Sequence, residues 1–362
     1  MYLVKNVNMT WDIGSSPGLI NGPLFWQVLN VVLTLDILAA VFATAANILT
    51  VIVYRRVGYA ESINISLSAL AISDLGVAVT TIICVLAMLL PTVPNAPFTY
   101  EIFANLGAYP HMFFTRASAL ITAYISVERY LCVFLPLRVK GIFTTNRTLA
   151  AMIVIFFLTF SPIAVTLLSY PLGWSFSPEQ NRTVLAVLPV DDSIILTSWY
   201  IIQVYIALFL PVSTFVTVSF STVFLTTSLR RSQVWRDANR STAIIGKNNG
   251  NNTASSINTR QAATNSKEKK AVKMVVAIAT IFIIASIPSS GHMIAVMTIP
   301  GFTIGGRFAH SFSISGMMLL FVDTLNCGGN VIIYLFMSSR FKQATFNVLC
   351  EKSLVPHNRR RK

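Results

Sequence analysis

A chain of 362 residues that is 54% hydrophobic and only 11% charged, with a mean hydropathy of +0.67, cannot cover the surface of soluble domains and is not a disordered polymer. The net charge of +14 would by itself suggest nucleic acid, but in so apolar a chain it points to an asymmetric membrane protein. Four cysteines in this length exclude a disulfide scaffold.

A membrane span needs about 20 mostly apolar residues, and seven stretches qualify. Lipid offers the backbone no hydrogen bonds, so each is expected to be a helix, and the fold class is an all-α membrane protein. Residues 1–27 hold the sequon Asn8-Met9-Thr10. The first stretch, Val28–Tyr54, begins well inside the chain and is too long for a signal peptide, so no cleaved signal is expected. It contains Asp36 and Asn47. The second, Ile65–Leu90, has Asp74 within Leu70-Ala71-Ile72-Ser73-Asp74-Leu75. The third, Phe103–Phe134, holds His111, Arg116 and Ser118 and ends in Glu128-Arg129-Tyr130. The fourth is Leu149–Leu172, followed by a loop with a second sequon, Asn181-Arg182-Thr183. The fifth, Ser198–Thr226, contains Pro211. Residues 227–270 then form the longest connection between spans, rich in Asn, Ser and Thr from Asn248 to Asn265, and are expected to be disordered at the centre with helical flanks. The sixth, Ala271–Ile299, has Glu268 just before it, and Pro288 and His292 within it. The seventh, Phe312–Met337, contains Asp323, Asn326 and Asn330-Val331-Ile332-Ile333-Tyr334. The tail, 339–362, opens with Ser339-Arg340-Phe341-Lys342 and includes Cys350.

Basic residues set the orientation. With the N-terminus outside, the outer segments hold Lys5, Arg182 and Arg307, Arg116 lies within a span, and the other 23 of the 27 Lys and Arg face the cytoplasm. Asn8 and Asn181 then fall outside, where glycosylation is possible chemistry. Outside there are also five acids against the three bases, which favours a cationic or amidated peptide, although salt screens such a field within about 8–10 Å.

The motifs in the spans resemble those of the rhodopsin-like G-protein-coupled receptors, in order and on the matching spans. Glu128-Arg129-Tyr130 resembles the Asp/Glu-Arg-Tyr signature, with Pro136-Leu137 downstream. Leu70 to Leu75 is similar to Leu-Ala-x-x-Asp-Leu, and Asn47 follows Ala45-Ala46 where the family usually has Gly-Asn. Asn330 to Tyr334 looks like Asn-Pro-x-x-Tyr with the proline replaced. The resemblance covers residues 28–350 and implies a seven-helix bundle over 28–338 with a short amphipathic eighth helix in the tail. It implies a multi-pass receptor in the plasma membrane that passes an extracellular small-molecule or peptide signal to a heterotrimeric G protein. No catalytic role and no nucleic-acid partner are expected. The departures from the family resemble those of divergent invertebrate receptors, including molluscan chemosensory and neuropeptide receptors.

The resemblance also assigns roles. Glu128, Arg129, Tyr130, Glu268, Asn330 and Tyr334 match the activation switch. An Arg129–Glu268 pair across the helix gap would contribute on the order of a few kcal/mol if broken on one side. Asp74, Ser118, Asn326 and Asn330 match the sodium pocket, offering a carboxylate, a hydroxyl and two amides to a hard cation. The alternative is a protonated Asp74 in a hydrogen-bond network. Charge inside a span needs a partner or a function. His111, Arg116, His292 and Asp323 are therefore placed in a ligand cavity, with a purely structural Arg116–Asp323 pair as the alternative. Cys350 suits palmitoylation after the eighth helix, or is a free thiol.

Several family features are missing. Ala104 stands where the third-helix disulfide cysteine would be, and the second outer loop has no cysteine. Ala285-Ser286-Ile287-Pro288 replaces Cys-Trp-x-Pro, leaving Phe282 one turn below, and Ser219 replaces the usual fifth-helix Tyr. His111 rather than Asp argues against amine ligands, and Thr324 rather than Lys excludes a retinal Schiff base. A seven-span transporter is the rival reading, but no repeats or matched broken helices are visible.

Overall fold

The computed structural model describes residues 22–350 apart from 91–92, 94–95, 99–101, 136–137, 179–180, 189–191, 246–252 and 304–305. The side chains at 229–269 and at a few other helical positions also lie outside the description. Seven helices are long and apolar enough to cross a membrane: Gly22–Val57, Ser62–Leu89, Asn105–Phe134, Thr145–Ser169, Val204–Ser228, Val272–Thr298 and Ala309–Met337. They are the first to seventh spans. Their outward faces carry large apolar side chains such as Phe157, Leu168, Phe220 and Phe336, a surface that suits lipid and not water. The protein is a multi-pass membrane bundle.

The helix ends differ from the sequence expectation where local chemistry extends them. The first helix reaches back to Gly22 because Phe25 is buried and stacks on His310, with ring centroids 4.3 Å apart. The fourth starts at Thr145 because the Thr144 hydroxyl accepts the Arg147 amide at 3.4 Å. The fifth helix continues to Ile245 and the sixth begins at Thr253. Helix thus covers much of the stretch whose Asn, Ser and Thr content suggested disorder, since Ala254, Arg260, Gln261, Ala262 and Ala263 among them are strong helix formers. Two spans open with π-helical turns, Phe103–Ala108 before the third and Ile201–Phe209 in the fifth.

The outer loop between the fourth and fifth spans is a β-hairpin. Strand β1, Leu172–Ser177, pairs antiparallel with β2, Arg182–Val187, from Leu172↔Val187 to Ser177↔Arg182. Asn181 turns the chain with φ +49°, a left-handed conformation that Asn tolerates well, and its side chain is exposed. A short amphipathic helix, Ser339–Leu349, follows the seventh span. The Ser338 hydroxyl accepts the Phe341 amide at 3.2 Å and caps it. Phe341 is buried under Tyr54 and Tyr334, both at 5.4 Å between centroids, while Phe346 and Leu349 point outward. This anchors the helix beneath the bundle's inner core, which includes Val53, Leu70, Ile121, Ile125, Ile278 and Val331.

Candidate functional site

The functional residues form three layers along the bundle. In the middle, Asp74 is fully buried and accepts two hydrogen bonds, from the Ser118 hydroxyl at 2.6 Å and the Asn330 amide at 2.8 Å. One carboxylate thus ties the second, third and seventh spans. Asn47 fastens the first span to the seventh, donating to the carbonyls of Ala43 at 2.9 Å and Cys327 at 3.5 Å. The Asn330 Oδ1 is buried without a partner. An orphaned amide oxygen beside a carboxylate and a hydroxyl is a donor set that fits a small hard cation.

In the layer where the third span ends, Glu128 is fully buried. Its Oε1 takes the Ser62 hydroxyl at 2.5 Å and the Arg129 Nη2 at 2.9 Å. Arg129 is therefore held by its neighbour in sequence, which is itself tied to the start of the second span. Glu128 Oε2 and Arg129 Nε are buried without hydrogen-bond partners. The Glu268 side chain lies outside the described residues, so the expected partnership across to the sixth span is not described. Tyr130 stacks on Phe134 at 5.7 Å and meets Phe224 of the fifth span edge-on at 5.9 Å. Tyr334 is buried among Tyr54 and Phe341, its hydroxyl without a partner.

The outer layer holds a cavity of about 320 Å³ between the third, fifth, sixth and seventh spans. Arg116, Ser118, Asp323 and Asn326 all line it. Among the described residues no carboxylate oxygen comes within 4.0 Å of Arg116, so Arg116 and Asp323 share the cavity without a direct ion pair. Asp323 turns instead toward His111, Oδ2 to Nε2 at 3.7 Å. His111 itself is buried beside the cavity rather than in its lining. Its Nδ1 lies 3.3 Å from the Thr80 hydroxyl and 3.5 Å from that of Thr81, which meets Thr324 at 2.9 Å. It joins the second, third and seventh spans. His292 also stands outside the lining, its Nδ1 3.0 Å from the Ser315 hydroxyl and its ring against Phe302 and Phe312. Asp36 is fully buried, with both carboxylate oxygens unpartnered, in the outer half of the first span.

None of Cys84, Cys132, Cys327 and Cys350 is in a disulfide, and Cys350 is exposed at the end of the short helix Ser339–Leu349. The hairpin is fixed by hydrogen bonds. The Asn105 amide at the start of the third span donates to the Tyr170 carbonyl at 2.8 Å, and the Leu185 amide donates to Pro97 at 2.8 Å. Sequence reasoning missed Ser62 and Asn105, whose partners are 66 and 65 residues away in the chain. The absence of a cysteine at Ala104 was the available signal that some other contact must hold the hairpin.

Residues 46–334 match the family of 7 transmembrane receptors (rhodopsin family). The tachykinin-like peptides receptor 99D of Drosophila melanogaster is 23% identical over 253 residues, which is 67% of this chain and 42% of that protein. The chain thus spans less than half the length of this curated relative.

Proposed function

Because this chain belongs to the rhodopsin family of seven-transmembrane receptors, we propose that it carries an extracellular signal, a neuropeptide or a small chemosensory cue, to heterotrimeric G proteins. The observation that carries this reading is the position of Ser118. Its side chain lines the outer cavity and donates to Asp74 at 2.6 Å. Asp74 in turn takes the amide of Asn330, on the seventh helix one turn before Tyr334. A ligand in the cavity therefore acts on a hydrogen-bond network that reaches the inner half of the bundle. A ligand that binds one state better shifts the equilibrium toward it.

At the inner end, Arg129 held by Glu128 is the resting arrangement. Its release frees a permanent cation for the carbonyls at the end of a G-protein helix. The usual Trp is replaced by Ser286, and Phe282, one turn below, is the aromatic ring bordering the cavity. Phe282 is the group a ligand would displace. Sodium would be held by Asp74, Ser118, Asn326 and Asn330, and would supply a positive charge that favours the resting network.

The fly relative, a receptor for tachykinin-like peptides by its name, supports the peptide branch. The volume of the cavity supports a small cue. The plasma membrane with the N-terminus outside is the placement, with Asn8 and Asn181 as glycan acceptors and Cys350 as a lipid attachment point. The test is a screen of peptides against a chemical panel on surface-expressed receptor, read as calcium or cAMP, with Arg129→Ala as the uncoupled control. Responses that persist in Arg129→Ala would contradict the assignment of that residue.

A further inference from the structure

We infer that the outer cavity takes an acidic amphiphile, a fatty-acid-like carboxylate on an alkyl chain, which enters from the bilayer between the fifth and sixth spans and places its head on Arg116. The inference rests on the receptor reading and names the ligand class for its small-molecule branch.

The first observation is the hydrogen-bond inventory of the lining. The hydroxyls of Thr115, Thr214, Ser286 and Ser290 already donate to carbonyls one turn back on their own helices. Ser118 donates to Asp74. The donors left facing the cavity are the Arg116 guanidinium, the Asn326 amide and the Ser289 hydroxyl, and neither Asn326 nor Ser289 makes a side-chain hydrogen bond to a described residue. Arg116 Nε is buried without a hydrogen-bond partner among the described residues, and Asp323, which shares the lining, stands 3.7 Å from His111 Nε2 and makes no ion pair with Arg116. A buried guanidinium with unmet donors calls for an anion, and a carboxylate matches its planar fork in two parallel hydrogen bonds.

The second observation is the wall. Leu208 and Val212 of the fifth span and Ile294 and Met297 of the sixth line the cavity, yet they are 40%, 53%, 61% and 52% exposed on the outside of the bundle. The same side chains face the cavity and the lipid, so only movable apolar groups separate the two. The outer part of the fifth span packs in the other direction, with Ile202, Ile206 and Leu210 on Ile163 of the fourth. Its π-helical stretch Ile201–Phe209 contributes Ala207 and Leu208 to the lining. An alkyl chain passes such a wall without desolvation cost, whereas a peptide backbone does not.

The experiment uses the full-length receptor in phosphatidylcholine nanodiscs, with decanoate, decanol and methyl decanoate as probes. Decanoate is expected to bind about tenfold or more tightly than the two uncharged analogues, the value of a charge-assisted hydrogen bond. Arg116→Gln is expected to remove that difference. Should Arg116→Gln not fold, Ile294→Trp tests the route and leaves the head site intact, with decanoate association slowed about tenfold. Equal binding of decanoate and decanol to the wild type overturns the proposal, as does unchanged association in Ile294→Trp. Loss of decanoate binding when phosphatidylglycerol is added also overturns it, because the occupant would then be a bilayer headgroup. Basal nucleotide exchange on G protein, compared with Arg129→Ala in the same discs, separates the two levels. If decanoate fails while that difference persists, only the ligand class is wrong; if the difference is absent, the receptor reading itself fails.

Discussion

Glu128 and Ser62 show how much a single hydrogen bond can decide. Glu128 is buried at the membrane edge with one oxygen satisfied by Ser62 and Arg129 and the other unpartnered. Charge at such a site persists only while its partners stay. Glu128→Gln removes the charge that holds Arg129, and basal signalling is expected to rise several-fold in a reporter assay at equal surface expression. Ser62→Ala removes one donor and leaves the ion pair, so its rise is expected to be smaller. No rise in either would place the resting latch elsewhere. Asp74→Asn keeps the shape of the Ser118–Asp74–Asn330 network and removes its charge. Ligand affinity should then lose any dependence on sodium concentration; a dependence that survives contradicts the cation site. Asp74 and Arg129 were legible in the sequence because an ionisable group in an apolar run stands out. Ser62 and Asn105 were not, since a Ser at a helix start and an Asn in a span have many local uses. Their roles depend on partners that only the fold brings near.

At the scale of the element, the second and third spans approach closely at two glycines. A Cβ on Gly76 would stand 2.2 Å from the ring of Phe114, and one on Gly107 would stand 2.8 Å from the Cys84 sulfur and 3.0 Å from its backbone. Either Gly→Ala change must push the helices apart or turn the ring, at a cost of about 1–3 kcal/mol typical of overpacking. A lower melting temperature in detergent for both variants checks this, and an unchanged one for Gly107→Ala would contradict the tight crossing. The hairpin follows the same logic in reverse. Asn105→Ala removes its hydrogen bond to Tyr170 and is expected to speed ligand dissociation with little change in stability. The seven spans were readable because about 20 apolar residues in lipid admit little other than helix. The hairpin was missed although Leu172 to Ser177 and Arg182 to Val187 flank an Asn suited to a turn. The π-helical turns leave no trace in hydropathy, since one extra residue in a turn does not alter the apolar content of a span.

For the whole molecule, the +14 charge resolves, in the proposed orientation, into a basic inner face, a nearly balanced outer face and a few charges within the bundle. In that orientation the basic face suits anionic lipid. The charges within the bundle carry the proposed mechanism. The cavity with Arg116 and Asp323, the network around Asp74 and the Glu128–Arg129 pair follow one another from the outer to the inner side. The exposed Arg340–Glu61 pair, 2.7 Å apart between the short cytoplasmic helix and the first inner turn, belongs to a different class. Surface pairs contribute about 0–1 kcal/mol, so Arg340→Ala should leave the melting temperature nearly unchanged while Phe341→Ala, which empties a buried aromatic site, should lower it clearly. The central claim is that the inner end of this bundle acts on a G protein through Arg129. The most direct measurement is guanine-nucleotide exchange on purified heterotrimeric G protein by the receptor in nanodiscs, compared with Arg129→Ala and with empty discs. The wild type is expected to accelerate exchange several-fold and Arg129→Ala to match empty discs. Equal acceleration by the wild type and Arg129→Ala, or none by either across the G-protein classes, would contradict it.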